Sequence, residues 1–235
     1  WRGIAKASEK AAREAEKVLG PEGSFPRVVL WPSSSPGTRY RRWDPLRYVA
    51  VARDLAAGGT EILVPEGKDD EGLSASLVEA LPDRARLLPF VSIPVLIELL
   101  ARVDLVVGGD SGPVHMACSL GTPTVMIFGA KDPARYAPLG GPLEVLYHPI
   151  GCNPCRNTWC EHVTCLDRIR PEEALSAARA FLFRRPVYTL RPLGEADFPF
   201  FRRLHHTEMR PPVEAIWGWD EALQDRMARD DFDPP

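Results

Sequence analysis

From residue 27 to residue 183, short apolar runs alternate with longer stretches whose apolar residues recur every three or four positions. The runs at 27–31, 61–64, 86–90, 104–107, 124–128 and 144–147 are rich in Val, Ile and Leu and are bounded by turn-forming residues, the pattern of buried strands. The intervening stretches predict helices over 45–55, 70–81, 93–101 and 113–120, and a further helix over 171–183. Asp44 and Pro45 form a helix-start pair, with the stripe Leu46, Val49, Ala50 and Leu55 facing inward. Residues 4–19 are rich in Ala, Glu and Lys and read as a helix that ends at Gly20-Pro21, with a thin apolar stripe of Ala5, Ala12 and Val18. Strands alternating with helices at this spacing predict βαβ units and an α/β fold with a Rossmann-like, mainly parallel sheet. Ligands of such sheets lie outside the carboxyl ends of the strands.

The stretch 103–118 organises the chain. A β-branched strand reaches Gly108-Gly109, which lets the backbone turn sharply, and Pro113 suits the first position of a helix because its missing N–H would be unbonded there. Ser111 or Gly112 then falls at the N-cap. The free N–H groups and the helix dipole favour an anion over this turn, with Asp110 and His115 on the same rim. The residues read either as the seat of a phosphate-bearing ligand or as an ordinary strand-to-helix turn capped by Ser111. After the first strand, Ser33-Ser-Ser-Pro-Gly-Thr-Arg-Tyr-Arg-Arg-Trp43 combines hydroxyls with three arginines, which suits a diphosphate and equally suits a solvated basic loop. Glu66-Gly67 and Gly129-Ala-Lys-Asp132 occupy the same rim, and four loops converging there favour a ligand site. The spacing of a nucleotide triphosphatase P-loop is absent.

The chain has 235 residues, room for one large or two small domains, with 45% apolar and 26% charged residues, as in soluble globular proteins. A net charge of −3, with Lys and Arg spread along the chain, argues against a nucleic-acid partner. No run of about 18 apolar residues is present for a membrane span, and no signal peptide is visible. The start at Trp1 reads as the middle of something longer.

Four of the five cysteines lie in Cys152-Asn-Pro-Cys-Arg-Asn-Thr-Trp-Cys-Glu-His-Val-Thr-Cys165. Cys152, Cys155, Cys160 and Cys165 can close a structural zinc or iron site, with His162 as a substitute ligand, or can form two disulfides. A cytosolic setting disfavours the disulfides. Cys118, among Ala and Leu on a helix, reads as a small buried hydrophobe.

Several motifs in order carry a resemblance. Asp110-Ser-Gly-Pro-Val-His115 followed by Ala117, Leu120-Gly-Thr-Pro-Thr-Val125 and Phe128-Gly-Ala-Lys-Asp-Pro133 resembles the signature of family-9 glycosyltransferases, the ADP-heptose:lipopolysaccharide heptosyltransferases. Residues 28–35 with Arg41-Arg-Trp43 resemble that family's His-Pro-Gly loop and Lys/Arg-Arg-Trp motif, and Cys152-Asn-Pro-Cys155 resembles a Cys-x-Pro-Cys found in many members, of which related branches hold iron through four cysteines. The match covers residues 25–183 and implies the C-terminal, donor-binding half of a GT-B fold with a short α+β tail. It implies a linking helix over 1–24, a nucleotide-sugar-binding domain over 25–185 with a cysteine loop at 151–166, and a separate segment over 186–235.

By that resemblance Asp110 contacts the donor sugar, Ser111 and Gly112 give N–H groups to the diphosphate, and His115 lies beside them. Arg41 stands at the family's Lys position and pairs with phosphate, Ser34 and Ser35 line the phosphate pocket, and residues 66–71 approach the nucleoside. The implied partners are an ADP-heptose-like nucleotide sugar and a glycan or lipopolysaccharide acceptor, in the cytoplasm, with the inner face of the membrane as the working place. The implied chemistry is an inverting transfer that needs no metal. Two departures stand out: Ser33 replaces the first-loop glycine, and the acceptor-binding half with the family's catalytic Asp base is expected upstream of this chain. A non-catalytic nucleotide-binding module is the competing reading.

The tail changes in style. A strand over 187–193, a helix running through Met209 and another beginning at Ile216 are expected, with His205 and His206 on the surface and no metal role. Leu190-Arg-Pro-Leu, Glu195-Ala-Asp-Phe198 and Trp217-Gly-Trp-Asp-Glu-Ala resemble the opening of a GNAT-superfamily acetyltransferase, without its glycine-rich acetyl-CoA loop. The resemblance leaves open a fusion whose main activity is acetyl transfer.

Overall fold

The computed structural model describes residues 8–21, 23–68, 70, 72–81, 85–155, 160, 162–183 and 194–232. The chain forms two compact units that divide between Arg185 and Pro186.

The first unit is built on six strands: β1 (Arg27–Trp31), β2 (Glu61–Pro65), β3 (Ala85–Leu88), β4 (Leu105–Gly109), β5 (Thr124–Phe128) and β6 (Leu143–Tyr147). They form one sheet in the order β3-β2-β1-β4-β5-β6, and every neighbouring pair is parallel. The helices are α1 (Glu9–Leu19), α2 (Pro45–Ala57), α3 (Leu73–Glu79), α4 (Ile93–Leu100), α5 (Gly112–Leu120), α6 (Pro133–Tyr136), α7 (Thr164–Asp167) and α8 (Pro171–Leu182).

Successive strand residues point to opposite faces, and both faces of this sheet are covered. Val28, Leu30, Val107 and Ile127 pack against α2 and α8, while Val29, Trp31, Val106 and Met126 pack against α1, α4 and α5. Burial on both sides is why the strands read as continuous apolar runs rather than as alternating patterns. Strand order reverses between β1 and β4, and the crevice at that point is where doubly wound sheets bind ligands.

The α2 start is as the sequence predicts, with the Asp44 carboxylate accepting from the Leu46 N–H. Its buried face differs. Tyr48, Val49, Val51, Ala52, Leu55 and Ala56 face the core, while Leu46 is 73% exposed and Ala50 is exposed. The Tyr48 hydroxyl donates to the Trp31 carbonyl at the end of β1, which fixes the rotation of the helix. Residues two positions away lie about 200° round the axis and must face outward. In α1 the buried residues are Ala11, Ala15 and Leu19 rather than Ala12 and Val18, and Ser8 caps the helix through the Ala11 N–H. The expected start at residues 4–7, and Ala5, lie outside the described residues.

The short helices α6 and α7, and a 3-10 turn over Pro36–Arg41, fall where loops were expected. Gly108 and Gly109 are not turn residues but the last two of β4. A Cβ on Gly108 would lie 2.6 Å from Val114 Cγ2 and 3.0 Å from Trp31, so glycine is required there for close packing, not for bending.

In the second unit, α9 (Phe198–Trp217) and α10 (Glu221–Asp231) follow a 3-10 turn over Glu195–Asp197. α9 passes Met209, where a stop was expected, and continues through Pro211 and Pro212. The next helix begins at Glu221, not Ile216, because Gly218 at φ 76° breaks the chain and the Asp220 carboxylate caps the Leu223 N–H. The strand expected over 187–193 lies outside the described residues.

Candidate functional site

A cleft of about 400 Å³ opens at the carboxyl ends of β1 and β4, where the strand order reverses. Its walls include Ser34, Ser35, Arg41, Asp110, Ser111, Gly112 and His115, so all seven donor-site candidates share one depression. Trp31, Ser33, Thr38, Gly67, Lys68 and Pro113 complete the lining. Thr38 lies within the serine- and arginine-containing loop. Lys68 lies in the loop that the resemblance places near the nucleoside, of which Asp69 and Glu71 lie outside the described residues.

Asp110 is the centre of the polar network. One carboxylate oxygen lies 2.9 Å from Nε2 of His115 and the other 3.5 Å from Nη1 of Arg41. The pairing is local in origin: β4 ends one residue before Asp110, and His115 follows one turn into α5. Arg41 arrives from the other strand end, its guanidinium 5.4 Å from the centre of the Tyr40 ring and within 3.3 Å of the Tyr40 hydroxyl. The backbone of Arg41 comes so near β4 that a Cβ on Gly109 would be 3.3 Å from its carbonyl oxygen.

Ser111 occupies the N-cap position of α5 but makes no capping hydrogen bond, which corrects the reading of it as an ordinary cap. Its hydroxyl is buried and has no hydrogen-bond partner in the structure. Buried polar atoms are nearly always satisfied, so this hydroxyl keeps an unused hydrogen-bonding capacity in the cleft wall. At the helix start Pro113 has no N–H, and the His115 N–H is bonded to the Ser111 carbonyl. Gly112, at the first helical position, is among those whose N–H lacks an intrahelical acceptor.

The Ser34 hydroxyl is committed, donating to the Thr38 carbonyl at 3.2 Å and accepting from Arg42 Nε at 2.9 Å. It shapes the loop as well as lining the cleft. Beneath, Trp43 is buried, stacks edge-on to Tyr48 and donates from Nε1 to the Ile169 carbonyl at 3.1 Å. Burial pushes the Tyr48 phenol well above the usual range, against a weaker opposing effect of the Gly109 backbone. Tyr48 therefore stays neutral and acts as a strut between the two strand ends.

Cys118 and Cys165 are buried, Cys155 and Cys160 are half-buried, and Cys152 is exposed. Cys165 is buried on α7, with Sγ placed 3.1 Å from where a Gly129 Cβ would be. Burial raises its thiol above the usual range, and the Cys160 and Cys152 thiols add to that in a smaller degree. Four soft sulfur donors suit zinc or iron. Among the described residues, however, the one group of three or more potential ligands at close mutual spacing is His206, Glu221 and Asp225. His205 and His206 are therefore not surface residues. Their side chains are 9% and 16% exposed, and His206 lies 3.3 Å from Glu221 and 3.0 Å from Asp225. Arg202 pairs with the same Asp225 through both carboxylate oxygens, so the cluster is part of an ion-pair network joining α9 to α10.

Residues 3–164 match the family described as glycosyltransferase family 9 (heptosyltransferase). The chain is 26% identical over 177 residues to a lipooligosaccharide heptosyltransferase 2 of Campylobacter jejuni, covering 72% of this chain and 52% of that protein. The chain spans about half the length of the curated relatives it matches. The solved structure of E. coli ADP-heptose lps heptosyltransferase II superposes with a TM-score of 0.63 at 21% identity, over 75% of this chain and 52% of that one. An iron-containing dodecameric glycosyltransferase, TibC of enterotoxigenic E. coli, superposes with a TM-score of 0.53 at 16% identity, over 69% of this chain and 47% of that one. At these identities the two structures show a shared fold, and the family match over more than half of the sequence carries the assignment: the chain belongs to glycosyltransferase family 9.

Proposed function

We propose that the first unit is the donor-binding half of a heptosyltransferase-like enzyme, taking ADP-heptose or a similar nucleotide sugar. The observation that carries this reading is Asp110, held between Arg41 and His115 beside the orphaned Ser111 hydroxyl at the start of α5. A diphosphate over that turn would satisfy Ser111, accept from the Gly112 N–H and draw the Arg41 guanidinium away from its long contact with Asp110. The freed carboxylate would then accept from a sugar hydroxyl.

The reaction is an inverting transfer to a hydroxyl of a lipopolysaccharide core or another glycan. A base on the acceptor-binding half takes the proton of the acceptor hydroxyl, the oxygen bonds to the anomeric carbon, and the bond from that carbon to the diphosphate oxygen breaks. The residues of this unit act on the leaving group. Arg41 and the helix start stabilise the charge that develops there, a preorganised electrostatic contribution. The setting is the cytoplasm, at the inner face of the membrane. No helix among the described residues is long and apolar enough to cross a membrane.

Cys152, Cys155, Cys160 and Cys165 are proposed as ligands of structural zinc or iron that would pin the loop between β6 and α8. What supports this is the Cys-x2-Cys-x4-Cys-x4-Cys spacing, which keeps four soft donors within one short segment.

Calorimetry with ADP tests the donor site. Micromolar binding that weakens in Arg41→Ala is the expected result, and no binding by the intact chain would reject the reading. Elemental analysis of the purified chain and of Cys152→Ser/Cys155→Ser tests the metal, with one ion per chain expected in the former only.

A further inference from the structure

The cleft has a third wall, formed by the loop after β2. Ser33 lies in the loop that follows β1. Its hydroxyl donates to the Asp70 carboxylate, and both side chains are buried. The other Asp70 oxygen accepts from the Ser74 N–H at 2.8 Å, and the Ser74 hydroxyl donates to the Pro65 carbonyl at 3.0 Å, so the loop is tied down at both ends. A buried carboxylate is costly unless it is hydrogen-bonded, and here both oxygens are. Gly67 lies directly on the clasp: a Cβ there would be 3.1 Å from both Cβ and Oγ of Ser33. The next residue is Lys68, which is exposed and lines the same cleft as the α5 start.

We propose that Ser33 and Asp70 are positioning residues whose hydrogen bond holds the Gly67–Lys68 turn against the cleft, so that Lys68 supplies a second cation, beside Arg41, for an anionic nucleotide. The inference rests on the donor-site reading above. Ser33 acts through Asp70 and the loop backbone, and Lys68 acts on the ligand. A single hydroxyl thus couples the β1 loop, which carries Ser34 and Ser35, to the β2 loop.

The test is a double-mutant cycle in the full chain, read by calorimetry with ADP. Lys68→Ala should weaken binding about fivefold and Ser33→Gly about threefold, while Ser33→Gly added to Lys68→Ala should cost less than about 1.5-fold more, because coupled residues are not additive. Asp70→Asn should follow Ser33→Gly. An equal loss on Ser33→Gly with and without Lys68, or no loss from either variant, overturns the proposal. Hydrogen exchange of the ligand-free protein separates its failure from that of the donor reading. In Ser33→Gly the amides of Gly67, Lys68 and Ser74 should exchange about tenfold faster, with those of β4 unchanged. Absence of ADP binding by the unsubstituted chain rejects the donor site and with it the role of Lys68. Unaltered exchange at these three amides rejects the clasp itself.

Discussion

Asp110 and His115 meet at 2.9 Å across the first turn of α5, carboxylate oxygen to Nε2. The contact fixes the imidazole ring in the cleft wall. It also gives Asp110 two competing attractions, since Arg41 lies 3.5 Å from its other oxygen. If Asp110 reaches the sugar and Arg41 the diphosphate, loss of the carboxylate should separate the two parts of the ligand. Asp110→Ala is expected to weaken an ADP-sugar by about tenfold, the value of a hydrogen bond to a charged group, while ADP itself changes by less than about threefold. Parallel titrations with ADP and ADP-heptose check this. Equal losses for both ligands would remove Asp110 from the sugar.

Trp43 links the strand-end loop to the segment between α7 and α8. Trp43→Phe keeps most of the buried ring but removes the donor to the Ile169 carbonyl, which Arg47 still serves at 2.5 Å. The expected cost is about 1 kcal/mol. Trp43→Ala opens a cavity beside Tyr48 and should cost about 3–5 kcal/mol. Urea unfolding of both variants measures the difference.

Gly108 and Gly129 predict overpacking. A Cβ on Gly108 meets Val114 Cγ2 at 2.6 Å, and one on Gly129 meets Leu166 Cγ at 2.6 Å and Cδ2 at 2.7 Å. Each alanine substitution should destabilise by about 1–3 kcal/mol, the usual cost of an added group in a packed core. Gly108→Ala should also weaken ADP binding, because the displaced Val114 belongs to α5. Gly129→Ala should act mainly on α7. Thermal melts combined with ADP titration distinguish the two.

Glu173 gives the fold a pH dependence near the acid end. Burial pushes its carboxyl up, but the Arg170 N–H, the His148 ring and the Arg170 charge outweigh this and hold it below the usual value. A carboxyl lowered on folding contributes stability above its unfolded value, about 4.3, and loses it as pH falls through the folded value. Glu173→Gln should therefore lower the melting temperature at pH 7, and the difference from the unsubstituted chain should shrink as pH falls below about 4.3 and vanish only below the depressed folded value. A difference that persists undiminished at low pH would place the effect in packing instead.

The hydrophobic pattern alone located all six strands of the sheet, and β1 and β5 match it at both ends. A strand buried on both faces must be apolar throughout, so its limits are visible where polar and turn residues begin. The order of motifs likewise showed which loops share the carboxyl rim. Tertiary packing decided the rest. Leu46 and Ala50 look like core residues until Tyr48 sets the rotation of α2, and Gly108-Gly109 looks like a turn until Val114 is seen to occupy the space a side chain would need. The Ser33–Asp70 clasp joins residues 37 positions apart, and no local periodicity can announce such a pair. Local propensity and burial period are written along the chain, whereas helix rotation, close backbone approach and long-range hydrogen bonds exist only once the layers are packed together.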